Sequence, residues 1–206
     1  MDGCLFPPRA PSWTATTADR RAPDGVGTVA HDCGNWNVFY LDLHGMNFDA
    51  NRERCPRTCE FLASLPRGYC HAFFSALAPH THVVKHHGPT NKKLRIHLPL
   101  IAVPPGLSRL RVGDEVRVIE EGKLLVFDDS FEHEAWNDGE TARITLIIDI
   151  WHPDLSHREV RWLAFLQKAL LRTAMSASAG GEETDTFASI ISRARGITPD
   201  MQDVWE

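Results

Sequence analysis

From Cys70 to Trp151 the chain is a succession of short β-type runs with hardly a helix-forming stretch among them. The runs fall at 70–78, 81–86, 93–103, 109–112, 116–119, 123–127 and 143–151, with Gly113-Asp114 and Glu121-Gly122 as turn signals between the middle ones. So many short strands in a row leave two architectures: a closed antiparallel jelly roll, or an open sandwich of immunoglobulin type. In Lys93-Leu94-Arg95-Ile96-His97-Leu98-Pro99-Leu100, one strand face holds Leu94, Ile96, Leu98 and Leu100, while Arg95 and His97 share the other. An open sandwich would put Ser, Thr and Lys on such a polar face. A guanidinium and an imidazole there point instead to a pocket that uses them. The expectation is an all-β core, a double-stranded β-helix (jelly roll, cupin-like) with flanking helices.

Outside that stretch the sequence divides into three parts. Residues 1–32 mix Pro7, Pro8, Pro11 and Pro23 with Ala, Thr, Arg and Asp and have neither helical nor strand period, which reads as a disordered N-terminal arm. Residues 33–157 form the jelly-roll domain, opening with a strand over Trp36 to Leu43. A short helix from Pro56 to Leu65 has proline in its first turn. Residues 158–206 form a C-terminal helical extension and tail. Ser156-His157-Arg158-Glu159 is a capping box for its helix, and Val160, Leu163, Leu166, Leu170 and Leu171 make an apolar stripe expected to cover an outer face of the barrel or, as the alternative, to meet a second subunit. A second short helix is expected around Phe187 to Arg195.

With 206 residues and 43% hydrophobic composition the chain suffices for one domain with a proper core. A net charge of -5 offers no basic field for nucleic acid, and no apolar run is long enough for a transmembrane segment. The N-terminus lacks the basic start and apolar middle of a secretory signal, so the expected location is cytoplasmic. Five cysteines, with only Cys55 and Cys59 close together, make no zinc ribbon and read as reduced thiols.

Of the 11 histidines, six crowd between His71 and His97. His86 and His133 fall on different strands of the expected barrel, and imidazole is the commonest ligand for a divalent transition metal. A mononuclear iron oxygenase ordinarily adds a carboxylate two residues after its first histidine, but that place is Gly88. Either water fills it or Asp128, Asp129 or Glu132 supplies a carboxylate from elsewhere. Arg143, at the start of the last long strand, is placed to hold the far end of a dicarboxylate. A zinc peptidase is excluded, because His133-Glu134-Ala135-Trp136-Asn137 has asparagine where HExxH needs its second histidine.

Five runs taken together, His86-His87-Gly88-Pro89-Thr90-Asn91, Leu94-Arg95-Ile96-His97-Leu98, Glu121-Gly122-Lys123, Phe127-Asp128-Asp129-Ser130-Phe131-Glu132-His133-Glu134 and Asp149-Ile150-Trp151-His152-Pro153, closely resemble the aspartyl/asparaginyl β-hydroxylase family. The resemblance covers about residues 34–157. It implies Fe(II) with 2-oxoglutarate as cosubstrate, and a ligand set of two histidines with glycine at the usual carboxylate place. By the resemblance, His86 and His133 would be the iron ligands, Ser75, His97 and Arg143 would hold 2-oxoglutarate, and Arg95 would meet the substrate. The implied activity is O2-dependent hydroxylation of the β-carbon of Asp or Asn residues in a peptide or protein, with release of succinate and CO2. Two alternatives stand beside it: the same chemistry on a lipid acyl chain, as in the similar lipid A hydroxylases, and a non-catalytic cupin that binds a metal or small acid. His80, His82, His87 and His152 are expected to be structural or surface residues.

Overall fold

The computed structural model describes residues 14–15, 31–43, 46–65 and 69–179. In chain order the elements are β1 (Thr14–Ala15), β2 (His31–Cys33), β3 (Trp36–Leu43), β4 (Met46–Asn47), α1 (Asp49–Arg54), α2 (Pro56–Ala63), β5 (Tyr69–Leu77), β6 (Thr81–His86), β7 (Lys93–Ile101), β8 (Ser108–Val112), β9 (Glu115–Val118), β10 (Leu125–Phe127), β11 (His133–Asn137), β12 (Arg143–Trp151) and α3 (His157–Ala179). One sheet runs β1-β3-β5-β12-β7-β10 with β4 on β3, and the other runs β2-β6-β11-β8-β9. Strand pairing is antiparallel throughout. From β5 to β12 successive strands switch sheets, except in the β8–β9 hairpin, where Gly113 takes a positive φ of 56° at the turn. This alternation is the double-stranded β-helix expected from the strand succession.

The pleat of β12 shows how the larger sheet is used. Leu146 and Ile148 face outward into an apolar cluster with Phe39, Leu41, Phe74 and Leu62 of α2, so α2 seals that face. Arg143, Thr145, Ile147 and Asp149 therefore face inward, between the sheets. Two apolar clusters fill that interior, one around Tyr40, Phe73 and Ile147, the other around Leu77, Val83, Leu110 and Ile119. Ser75 lies between Phe73 and Leu77 along β5, opposite Thr145 of β12, so a polar layer separates the two clusters.

Several expectations need adjustment. The run His133–Asn137 is a strand that the hydrophobic pattern did not mark, and α1 is a helix that it did not mark. Within the stretch read as a disordered arm, Thr14 and Ala15 pair with Val38 and Asn37, and His31 pairs with Val83. The rest of residues 1–30 lies outside the described residues. The capping box is present: Ser156 N donates to Glu159 Oε2 at 2.7 Å and Glu159 N donates back to Ser156 Oγ at 3.3 Å. The apolar stripe of α3 does not cover the barrel as expected, since Val160 and Leu163 are only half-buried and Leu166 is 51% exposed. The side chains at 170 and 171, and the short helix expected around Phe187 to Arg195, lie outside the described residues.

Candidate active site

β6 ends on His86 and β11 begins on His133, and the two are direct partners across the smaller sheet. Their rings lie 4.0 Å apart between centroids, inclined at 53°, and both are buried. Each Nδ1 sits against a backbone carbonyl two residues earlier, His86 on Val84 O at 2.7 Å and His133 on Phe131 O at 2.9 Å. A carbonyl only accepts, so Nδ1 carries the proton in both rings and each Nε2 keeps its lone pair. Burial lowers the His86 pKa to about 4, against the carbonyl bond. Burial, followed by the neighbouring His86, lowers that of His133 to about 3. Both rings are neutral in any ordinary buffer, the form in which imidazole binds a cation.

Gly88 follows, at the place where a third ligand would be expected. A Cβ built there would lie 2.6–2.7 Å from the carboxyl atoms of Asp129, so that carboxylate already fills the space a side chain would need. Gly88 N also donates to Asp129 O at 2.6 Å. Of the three carboxylates considered for this place, only Asp129 reaches it. Asp128 accepts from Ser130 N at 2.9 Å, and Glu132 pairs with Arg111 at 2.7 Å. Among the described residues no group of three or more His, Cys, Asp or Glu is placed to hold a metal.

Asp129 belongs to a buried ionic cluster. Lys93 Nζ lies 2.6 Å from Asp129 and 2.9 Å from Asp149, and Arg95 donates through Nε and NH2 to the two oxygens of Asp149 at 2.7 and 2.8 Å. His71 Nδ1 is 3.2 Å from Asp149. Burial works against the Asp149 charge, yet Arg95 and its hydrogen bonds hold the carboxylate well below its usual range. Burial likewise opposes the Arg95 charge, and Asp149 more than offsets it. The side chain expected to meet substrate is thus already engaged bidentately.

Arg143 is different. It is 1% exposed, its NH1 is 3.3 Å from Ser108 Oγ, and its Nε has no partner. Among the described residues no carboxylate pairs with it, and burial lowers its pKa to about 10. His97 Nδ1 and Thr145 Oγ1 are also buried without a partner. Burial, then the Arg143 charge, pushes the His97 pKa well down. Ser75 sits opposite Thr145, and its Oγ accepts from Trp36 Nε1 at 2.9 Å. Leaving such groups unmet costs about 1–3 kcal/mol each, so a cationic pocket with spare donors fits an anion with several oxygens.

Phe127 joins the two ends. Its ring stands edge-on to His97 at 5.1 Å and to His133 at 5.5 Å. The fold therefore groups His86 with His133, and Ser75, His97 and Arg143 with one another, while Arg95 belongs to the ionic cluster. Sequence reasoning did not single out Thr145, Phe127, Lys93 or Asp149. Thr145 was findable, since it lies two residues after Arg143 on the same strand face. Among the histidines expected to be structural, His82 stacks on Trp136 at 5.1 Å and contacts Glu134 at 3.0 Å. His87 is half-buried against Ser130 O at 3.0 Å.

A family profile described as Aspartyl/Asparaginyl beta-hydroxylase matches residues 12–153. The human aspartyl/asparaginyl beta-hydroxylase is 40% identical over 136 residues, covering 63% of this chain and 18% of that protein. The human aspartate beta-hydroxylase domain-containing protein 2 is 36% identical over 152 residues, 70% of this chain and 41% of the relative. An ornithine lipid ester-linked acyl 2-hydroxylase of Rhizobium tropici is 38% identical over 139 residues, 66% of this chain and 49% of the relative. The chain thus spans less than half the length of each of these relatives.

Proposed function

Since the chain belongs to the aspartyl/asparaginyl beta-hydroxylase family, we propose that it is an Fe(II)- and 2-oxoglutarate-dependent dioxygenase that hydroxylates the β-carbon of Asp or Asn residues in a peptide or protein. The observation that carries this reading is the buried Arg143, without a counter-ion among the described residues, facing the interior from the sheet opposite a pair of neutral histidines whose Nε2 atoms keep their lone pairs. Iron and 2-oxoglutarate bound there supply the oxidising chemistry, consuming O2 and releasing succinate and CO2.

The chain's own residues have divided tasks. His86 and His133 would hold the iron, their rings fixed by the Val84 and Phe131 carbonyls. Gly88 and Asp129 would keep any third side-chain ligand out, since Asp129 is itself held back by Lys93 and Arg95. Arg143 would neutralise the far carboxylate of 2-oxoglutarate, with His97, Thr145 and Ser75 offering hydrogen bonds along it. The flanking apolar clusters exclude water from that pocket. Arg95 would meet the substrate's carboxyl or amide only by sharing or exchanging its bonds to Asp149.

Hydroxylation of a lipid acyl chain is the second reading, favoured by the 38% identity to the ornithine lipid hydroxylase. Anaerobic visible spectroscopy of the Fe(II)-loaded chain during addition of 2-oxoglutarate tests the shared chemistry. A charge-transfer band is expected, weakened in His133→Ala and in Arg143→Ala. Its absence with iron demonstrably bound would favour a non-catalytic cupin. Mass spectrometry of Asp- and Asn-containing peptides and of acyl lipids, incubated with the loaded protein, then separates the two substrates by which one gains an oxygen atom.

A further inference from the structure

The face that α3 turns away from the body has no use in the site just described. Val160, Leu163 and Gln167, spaced i, i+3, i+7, are the half-buried line of this helix. Arg158, Arg161, Trp162 and Phe165, spaced i, i+3, i+4, i+7, form another line and surround one shallow depression. Trp162 is 58% and Phe165 64% exposed, and their rings meet edge-on at 6.3 Å. Leu166 beside them is exposed too. Such spacing ordinarily marks the buried stripe of a helix, and here it is in water and interleaved with guanidinium groups.

Charge selects the occupant. The chain carries 22 Lys and Arg against 27 Asp and Glu, but α3 holds Arg158, Arg161, Lys168 and Arg172 against Glu159 alone. A strongly basic helix with exposed aromatic rings, on an acidic protein, fits an anionic surface that can also take the rings. A second copy docking by the same face would bring its own Arg158 and Arg161 into the interface, four guanidinium groups with no carboxylate on this line of the helix. No helix among the described residues is long and apolar enough to cross a membrane, so α3 could only lie along one. We propose that α3 seats this domain on an anionic bilayer surface, with Trp162, Phe165 and Leu166 at the level of the headgroups and Arg158 and Arg161 on lipid phosphates. The proposal is independent of the iron site and of which substrate is hydroxylated.

Flotation of the full chain with vesicles of phosphatidylcholine alone, and of phosphatidylcholine with phosphatidylglycerol, tests this. The chain is expected to float with the phosphatidylglycerol vesicles in low salt, to be released by high salt, and to stay behind with the neutral ones. Trp162→Ser/Phe165→Ser and Arg158→Glu/Arg161→Glu should each lower the bound fraction on the order of tenfold, while Arg158→Lys/Arg161→Lys retains most of it. His133→Ala should float as the native chain does. Far-UV circular dichroism establishes that the variants fold. No flotation at low salt, or equal flotation of the Ser and Glu variants, would overturn the proposal. So would sedimentation velocity showing self-association through this face in place of vesicle binding.

Discussion

Arg95, half-buried, and Arg143, fully buried, face the same interior from neighbouring strands of one sheet, yet they are in opposite states. Arg95 is clamped by Asp149 and stays charged more firmly than in water, while Arg143 faces no anion and its pKa falls to about 10. What separates them is one carboxylate. Position Asp149 is opposite Arg95 in the β7–β12 register, whereas the strand positions beside Arg143 and Thr145 are Leu77, Ser75 and Pro99. A charge with its partner built in holds a structure together. A charge without one costs the fold stability, and under the proposed function Arg143 would be matched by the far carboxylate of the cosubstrate.

The strongest way to break this comparison is to take the partner from Arg95. Asp149→Ala takes the bidentate partner from Arg95 and leaves both Arg95 and Lys93 with Asp129 alone, and should lose about 3–5 kcal/mol of stability in urea unfolding. Arg143→Met should do the reverse. Its stability is expected to be unchanged or raised by about 1–2 kcal/mol, because an unpaired buried charge is replaced by an apolar chain. The same variant should bind 2-oxoglutarate about 10- to 100-fold more weakly in an anaerobic titration, while iron binding holds. A large stability loss in Arg143→Met would mean that this guanidinium is structural after all.

Smaller effects sharpen the picture. Gly88→Ala pushes a methyl into the Asp129 carboxylate and should cost about 1–3 kcal/mol in thermal unfolding. The loss should shrink in the Gly88→Ala/Asp129→Ala double variant, and an equal loss there would place the strain elsewhere. Thr145→Val removes a buried hydroxyl without a partner at nearly constant volume, so stability should rise by up to about 1 kcal/mol while 2-oxoglutarate binding weakens a few-fold.

How much of this was legible in the sequence depends on whether the signal was local. Trp36–Leu43 reads as a strand and is one, because its aromatic and β-branched content is a property of eight adjacent residues. Arg95 and His97 on one strand face followed from the pleat alone. His133 was placed on a strand, but the bounds of β11 were not legible because His133, Glu134 and Asn137 carry no hydrophobic period, and its pairing with β6 and β8 is what makes it a strand. Asp149 stood only at the head of the run Asp149–Pro153, with no role of its own. Its partner Arg95 is 54 residues away, and no local pattern announces that pair. Arg143 was picked out as a cation, but that it has no counter-ion is a fact about every strand around it. On α3, Val160 and Leu163 of the expected stripe are half-buried together with Gln167, while Leu166 of the same stripe is left outside.

The position of β12 has a bearing on how the molecule assembles. It is the last strand among the described residues, but it lies in the middle of its sheet, between β5 and β7. Until it inserts, the two halves of the sheet have no contact through it, and neither Arg143 nor Asp149 is in place. Lys93 and Arg95 then wait in water, and the anion pocket lacks its guanidinium. With contacts joining residues as far apart as His71 and Asp149, 78 positions, the rate-limiting event in refolding should be the closure of a long loop around this strand. The ionic cluster and the placement of Arg143 then come in that one event, so a chain halted before β12 could present the His86–His133 pair at most.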